Sequence, residues 1–163
     1  MTDSLHAIAA RWLGTPWCAN SAACGPRGGV ACHNLPRAIL MEIGALPHDF
    51  PVITGDPNAT RHTKQSLMEP WLNARPEFHR ISDFGSRVSD LRVGDLLGLR
   101  LYHCLDHLGL FLGSIQHPAS SIQQRAFIHV LMHKHACIDS LTDPTWSTRL
   151  LGIWRPIGPI RRI

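Results

Sequence analysis

The stretch Gly28-Gly29-Val30-Ala31-Cys32-His33-Asn34-Leu35-Pro36-Arg37-Ala38-Ile39-Leu40-Met41-Glu42-Ile43-Gly44 decides the fold expected for this chain. A glycine-rich loop runs into a segment that is apolar almost all round, which predicts a helix buried at the centre of a domain. Pro36 lies in the first turn, where its missing N–H costs little, and Gly44 ends the helix. Cys32 stands where loop and helix meet, and there the helix dipole and free backbone N–H groups favour a thiolate.

We therefore expect Cys32 to be a catalytic nucleophile, although a cysteine that opens a helix is also commonly a small core residue. A catalytic cysteine, unlike a core cysteine, needs a base for its thiol. Thiol attack on a carbonyl is efficient when an imidazole takes the thiol proton and later gives it to the leaving amine.

Composition places the chain among ordinary globular proteins. Its 163 residues suit one core, so residues 1–163 are expected to form a single domain. Hydrophobic residues make up 44% and charged residues 17%, which argues against disorder. The formal charge is +4, but the basic residues are scattered and not interleaved with aromatic ones. We therefore expect no nucleic-acid partner.

The five cysteines, at positions 18, 24, 32, 104 and 137, form no Cys-x-x-Cys pair. This argues against zinc-ribbon and thioredoxin sites, and no metal or cofactor is expected. A zinc site built from a histidine and cysteine set is the alternative, but its spacing matches no known ligand pattern; the set is His103, Cys104, His107, His133, His135 and Cys137. Cys18 and Cys24 would pair only under oxidation.

The first residues carry no recognisable signal peptide, and no apolar run is long enough to span a membrane. We expect a chain that is cytoplasmic as synthesised and does not insert into a membrane. Any role outside the cell membrane would then require delivery by other components.

Hydrophobic periodicity and turn residues predict helices first and strands afterwards. Expected helical segments are residues 4–13, capped by Ser4 and ended by Gly14, the helix after Cys32, and a weaker helix over 63–73 interrupted at Pro70. Residues 47–62 are expected to be a loop. Expected strands are 96–101, 107–112, 127–132, 135–139 and 150–156. This order predicts an α+β domain in which the Cys32 helix packs on an antiparallel β-sheet.

Two strand histidines are the candidates for the base. His107 shares a strand face with Gly109 and Phe111, and His129 shares one with Phe127, each opposite an aliphatic row. If the two strands are neighbours and pack on the Cys32 helix, both rings can converge on its N-terminus. His107 would then act as general base and acid, and His129 would fix its tautomer.

The order of several short motifs adds to this interpretation. Together they resemble the NlpC family of papain-like cell-wall cysteine peptidases over residues 8–157. The motifs, in chain order, are Gly14-Thr15-Pro16-Trp17, Gly29-Val30-Ala31-Cys32, Gly44-Ala45-Leu46-Pro47, Leu91-Arg92-Val93-Gly94-Asp95-Leu96, His107-Leu108-Gly109-Leu110-Phe111-Leu112-Gly113 and Phe127-Ile128-His129.

The resemblance implies a papain-like NlpC-type domain with a catalytic Cys32–His107–His129 triad. It implies hydrolysis of the peptide stems of bacterial peptidoglycan, so the expected substrate is a peptidoglycan peptide or muropeptide. The members most similar in outline belong to phage tails and gene-transfer agents, which implies phage-tail or secretion assembly proteins as partners and action on the cell wall after delivery.

The chain departs from the family around the nucleophile. The family's Asp-Cys-Ser-Gly is replaced by Ala31-Cys32-His33-Asn34, and the tyrosine of its Gly-Thr-Pro-Tyr turn by Trp17. Trp17, His33 and Asn34 are therefore the candidates for substrate and oxyanion binding, together with the backbone N–H of Cys32. Residues 114–125 are expected to form an inserted surface loop.

Because these departures surround the nucleophile, two main functions stay open, beside a third in which the same thiol chemistry serves acyl transfer or a toxin that attacks a rival cell wall. The first is a cysteine peptidase or amidase. The second is a catalytically degenerate NlpC-like module that has a structural or cell-wall-binding role.

Overall fold

The computed structural model describes residues 4–52, 62–82, 90–116 and 123–160. The helices in these ranges are α1 (Leu5–Trp12), α2 (Asn34–Glu42), α3 (Met68–Asn73) and α4 (Pro144–Ser147). The strands are β1 (Ala22–Ala23), β2 (Gly29–Val30), β3 (Phe78–Arg80), β4 (Leu96–Arg100), β5 (Leu105–Gln116), β6 (Gln123–His129), β7 (Cys137–Ser140) and β8 (Leu150–Pro156).

Six of these strands form one antiparallel sheet in the order β3-β8-β4-β5-β6-β7. The strands β4 to β7 follow one another as neighbours, whereas β8 inserts between β3 and β4. The prediction of an α+β domain with an antiparallel sheet is confirmed. A separate pair, β1 with β2, lies in the segment that leads to Cys32.

The sheet separates two apolar clusters. The larger cluster joins α1 and α2 to one row of strand side chains, which includes Leu108, Leu110 and Ile128. The smaller cluster lies on the other face and is built from Leu97, Leu99, Phe111, Phe127, Leu141, Trp146 and Ile153. Because side chains alternate along a strand, each of β4, β5, β6 and β8 contributes to both clusters.

The helices α1 and α2, which pack in the larger cluster, form for local reasons that the sequence shows. Ser4 accepts a hydrogen bond from the N–H of Ala7 and caps α1, as predicted. The helix α2 buries Leu35, Ile39 and Leu40, and Pro36 lies in its first turn as predicted. Gly44 ends it with a positive φ of 80°.

No helix within the described ranges combines the length and the apolar character that crossing a bilayer requires.

The prediction that residues 114–125 form a surface loop is wrong for residues 114–116 and 123–125, which belong to strands. The strand β5 continues to Gln116 and β6 begins at Gln123, and their pairing runs from Gln116 opposite Gln123 to Leu110 opposite Ile128. The two strands form one long hairpin whose tip, residues 117–122, lies outside the described residues. The register of this pair shifts once, near Gly113, where φ is 106°. The hairpin is apolar before this shift and mostly polar between the shift and its tip.

Helix α3 is shorter than predicted and is not interrupted at Pro70. It begins at Met68, so Pro70 falls in its first turn, where no intrahelical N–H is needed. Residues 53–61 of the predicted 47–62 loop lie outside the described residues.

Strand positions were predicted to within a few residues. The strand predicted over 127–132 ends at His129, since the chain leaves the sheet at Val130. The one predicted over 135–139 begins at Cys137, and β8 occupies the predicted residues 150–156. The short elements β1, β2, β3 and α4 were not predicted, because segments of two to four residues carry no periodicity.

Candidate functional site

His107 and His129 lie side by side on the neighbouring strands β5 and β6. Nε2 of His107 is 2.9 Å from Nδ1 of His129, and the rings meet edge to face. Nε2 of His129 is in turn 2.9 Å from Oδ2 of Asp139 on β7. The structure therefore joins three adjacent strands through one hydrogen-bonded row, His107–His129–Asp139.

The chemistry of the acceptor fixes where the protons lie in this row. A carboxylate only accepts hydrogen bonds, so Nε2 of His129 carries a hydrogen and donates it to Asp139. The Nδ1 atom of a neutral His129 is then an acceptor, and Nε2 of His107 donates to it. Nδ1 of a neutral His107 keeps its lone pair and has no hydrogen-bond partner among the described residues. A base with this proton arrangement is ready to accept a proton at Nδ1.

Both imidazoles are held in their neutral form. His107 and His129 are 1% and 0% exposed, and burial lowers the pKa of His107 well below its ordinary value. Burial also lowers the pKa of His129, against the opposing effect of its hydrogen bond to Asp139. The rings pack with Phe127 and Trp146 of the smaller cluster, and Trp146 lies 4.6 Å from the His129 ring, centroid to centroid.

Cys32 lies two residues before α2, with His33 between it and the helix. Backbone N–H groups of Leu108, of His33 and of Cys32 itself point at the sulfur and favour the thiolate. Burial outweighs them and raises the pKa of Cys32 to about 11, with Asp106 adding a smaller contribution of the same sign. The N–H groups thus act in the expected direction, and desolvation opposes them with the larger effect.

The expected convergence of both histidines on the N-terminus of α2 stays a prediction, and the structure places Cys32 beside the strand that carries His107. Cys32 packs against the larger cluster, whereas the His107 and His129 rings contact Trp146 and Phe127 of the smaller cluster. The sulfur reaches the backbone N–H of Leu108, the residue after His107. Within the described ranges no hydrogen bond joins the Cys32 thiol to an imidazole.

The three residues predicted to bind substrate lie in three different environments. Trp17 is partly exposed, and its ring lies 5.5 Å from that of His133, between centroids. His33 is buried and faces a small apolar cavity, not solvent, and burial lowers its pKa to about 4. Asn34 is buried, and its Nδ2 donates to the backbone oxygen of Ser21.

Two of these side chains hold polar atoms without a partner in the described part of the chain, Nε2 of His33 and Oδ1 of Asn34. Buried polar atoms are seldom left unpaired, so each marks a place where a water or a ligand group would fit. The two residues follow Cys32 directly, which keeps both as candidates for contacts near the nucleophile.

Sequence reasoning missed Asp139 and Cys137 as members of the site. On β7, Cys137 lies opposite His129 and Asp139 lies opposite Phe127, so all four share one face. The Cys137 sulfur is 3.6 Å from Nε2 of His129. The signal available in the sequence was the i, i+2 spacing of a cysteine and an aspartate in a predicted strand, but only the strand register shows that they face a histidine.

One group of potential metal ligands emerges from the described residues: His129, Cys137 and Asp139, whose ligand atoms all lie within 4.8 Å of one another. It shares only Cys137 with the set considered from the sequence. All five cysteines are free thiols, and Cys18, Cys24 and Cys137 are exposed.

No protein-family model matches this sequence, and none of the curated proteins is significantly similar to it.

Proposed function

We propose that the chain is a papain-like cysteine peptidase or amidase of the NlpC type that hydrolyses the peptide stems of peptidoglycan. The observation that carries the proposal is the row His107–His129–Asp139, which leaves the lone pair of His107 Nδ1 unused next to the strand segment that contacts Cys32. The substrate class rests on the sequence motifs that resemble the NlpC family.

In the proposed reaction the Cys32 sulfur attacks the carbonyl carbon of a stem-peptide amide while its proton passes to Nδ1 of His107. The resulting imidazolium donates this proton to the leaving amine as the C–N bond breaks, and a thioester on Cys32 remains. Water then attacks the thioester, giving up a proton to His107, and releases the carboxylate product and the thiol. His129 and Asp139 hold the base in the required tautomer, and the backbone N–H of Cys32 stabilises the oxyanion.

The raised pKa of Cys32 shapes this mechanism. The thiol is not ionised in advance near neutral pH, so its proton must leave during the attack. The thiol must also come within hydrogen-bond distance of Nδ1, since the described structure holds no such bond. Substrate binding would have to bring the two together, as happens in enzymes whose catalytic hydrogen bonds tighten only in the complex.

The test is hydrolysis of purified sacculi and of isolated muropeptides, with products separated by chromatography and identified by mass. Wild type should release fragments with a new carboxyl and a new amine end. Cys32→Ala and His107→Gln should each lose at least about a thousandfold in rate, because nucleophile and base act as a unit. Cys18→Ala is the matched control, since Cys18 is an exposed thiol away from the row, and it should keep full activity.

The outcomes separate the possible nucleophiles. Equal hydrolysis by wild type and Cys32→Ala overturns the assignment of Cys32. Loss of hydrolysis in Cys137→Ala but not in Cys32→Ala would identify Cys137 as the nucleophile instead, since its sulfur is the one that contacts a site imidazole.

A second function, a cell-wall-binding module without catalysis, is favoured because, in the described residues, no hydrogen bond joins the Cys32 thiol to an imidazole. It predicts that wild type and Cys32→Ala both sediment with sacculi to the same extent and that neither releases products. Turnover by wild type excludes it.

A further inference from the structure

We propose that His129, Cys137 and Asp139 form a binding site for a divalent transition-metal ion, Zn²⁺ best, through Nε2, Sγ and a carboxylate oxygen. These three atoms lie within 4.8 Å of one another at the outer side of the sheet, where β7 is the edge strand. Zinc accepts nitrogen, sulfur and carboxylate oxygen donors, and three protein ligands leave a fourth position open to water.

The distances between donor atoms fit such an ion with a small adjustment. Metal–donor bonds of about 2.1 Å in a tetrahedral arrangement place neighbouring donors about 3.4 Å apart. Nε2 of His129 and Sγ of Cys137 are 3.6 Å apart, and Nε2 and Oδ2 of Asp139 are 2.9 Å apart. The Asp139 side chain is 42% exposed, so it can move the few tenths of an ångström required.

The strand pairing sets the ligands in place before any ion binds. Cys137 is the register partner of His129, and Asp139 follows two residues later on the same face. The His129 ring is 0% exposed and is fixed by Phe127 and Trp146, so its Nε2 has one available direction. Ligands held in this way lose little conformational freedom when they bind the ion.

The second nitrogen of His129 also meets the requirement of a metal ligand. A histidine bound to a metal through Nε2 carries its hydrogen on Nδ1 and donates it to a neighbouring acceptor. Nε2 of His107 lies 2.9 Å from Nδ1 of His129 and can accept this hydrogen bond. Ligand and supporting residue are therefore both present.

Metal binding would reverse the hydrogen bond between the two histidines, and the effect of this reversal on catalysis rests on the proposed function. Without metal, Nε2 of His107 donates to His129 and Nδ1 of His107 holds a lone pair. With metal on Nε2 of His129, Nδ1 of His129 donates, and a neutral His107 must carry its hydrogen on Nδ1. The hydrogens relocate by exchange with solvent, and the Cys137 thiol proton is released to solvent. His107 can then no longer accept the Cys32 proton, so the ion switches the enzyme off.

Cobalt binding tests the site without any reference to activity. Chelator-treated full-length protein titrated with Co²⁺ should develop a thiolate-to-cobalt charge-transfer band that Zn²⁺ abolishes by competition. Cys137→Ser should lose the band, Asp139→Asn should weaken binding at least tenfold, and Cys18→Ser should match wild type. Absence of a band in wild type, or its persistence in Cys137→Ser, overturns the site.

Nitrogen-15 NMR of the imidazoles and the hydrolysis assay test the switch. Zn²⁺ should move the hydrogen of His107 from Nε2 to Nδ1, and it should inhibit hydrolysis by wild type at least tenfold, with full recovery after a chelator removes the ion. Metal binding with an unchanged His107 tautomer overturns the switch. Metal binding and a tautomer change in a protein that never hydrolyses sacculi would uphold the site and overturn only the proposed function.

Discussion

His129 donates a hydrogen bond to Asp139 on the neighbouring strand, although the two residues are not directly opposite each other. The register partner of Asp139 is Phe127, and Cys137 occupies the position opposite His129. The 2.9 Å contact between Oδ2 and Nε2 therefore requires the Asp139 side chain to lean along the strand toward the histidine. A carboxylate in this place fixes which nitrogen of His129 carries the hydrogen, and through it the tautomer of His107.

Replacing Asp139 should consequently affect rate more than folding. In Asp139→Asn the amide can present a donor or an acceptor to Nε2, so the tautomer of His129 is no longer fixed. If the proposed hydrolysis occurs, its rate should fall about tenfold to a hundredfold, while the unfolding midpoint in urea changes little. Asp49→Asn, at an exposed aspartate before Phe50, is the control and should behave as wild type. Full hydrolysis by Asp139→Asn would remove Asp139 from the site.

The free thiols should differ widely in their reactivity. With a pKa of about 11, only about one Cys32 in ten thousand is ionised at pH 7, and Cys104, unlike the partly exposed Cys32, is buried. Exposed Cys18 and Cys24 should therefore react with iodoacetamide first, and Cys32 at least about tenfold more slowly. Peptide mapping by mass spectrometry after short labelling times measures each rate. Labelling of Cys32 ahead of both exposed cysteines would contradict the raised pKa.

The buried His33 should make the protein less stable in mild acid. Its pKa of about 4 in the folded chain lies below the value near 6.5 expected after unfolding, so the unfolded chain binds more protons between these values. This contribution is absent above pH 7 and grows as the pH falls, to about 3 kcal/mol of lost stability at pH 4.

Urea unfolding at several pH values checks this expectation. His33→Leu, which places an apolar side chain beside the same cavity, should lose less stability than wild type between pH 7 and pH 4. Part of the acid sensitivity should remain, because the pKa values of His107 and His129 are lowered too. Identical pH slopes for His33→Leu and wild type would show that His33 does not titrate in this way.

The buried carboxylate of Asp95 should be important for the stability of the sheet. It accepts hydrogen bonds from Nε and Nη2 of Arg155, both at 2.8 Å, and from the N–H of Arg92. Asp95→Asn leaves the half-buried guanidinium without its counter-charge and should cost about 2–4 kcal/mol in urea unfolding.

The ion pair of Glu69 with Arg80 offers a matched comparison because it lies at the surface. Glu69→Gln should cost less than about 1 kcal/mol. If Asp95→Asn and Glu69→Gln lower the free energy of unfolding equally, burial of the Asp95–Arg155 pair adds nothing to its contribution to stability.

How far the sequence predicts the molecule depends on how local each feature is. Hydrophobic periodicity predicted α1, α2 and β8, because the spacing of apolar residues shows which face of an element is buried. The pairing of His107 with His129 could also be expected, since both lie in strands with the same alternation. The hydrogen bond between His129 and Asp139 could not be expected from the sequence. It depends on the register between β6 and β7, which the turn between the two strands helps to set.

Local sequence patterns do not fix the position of Cys32 relative to the histidines. The sequence places the cysteine before a helix and the histidines in strands, but it does not say on which face of the sheet each will lie. The aliphatic residues Leu108, Leu110 and Ile128 take the face that α2 covers, and alternation sends both histidines to the other face. The same pattern that made His107 and His129 conspicuous therefore packs their rings against Trp146 and Phe127.

The position of β8 between β3 and β4 has a consequence for how the chain folds during synthesis. The hairpins β4–β5 and β5–β6 and the ladder β6–β7 join segments that leave the ribosome one after another, so the row His107–His129–Asp139 can form early. The strand β3 is made before them but pairs with β8 alone, and one edge of β4 stays open until β8 arrives. A chain truncated before Leu150 would thus expose an unpaired edge of β4, although it retains every strand of the histidine row.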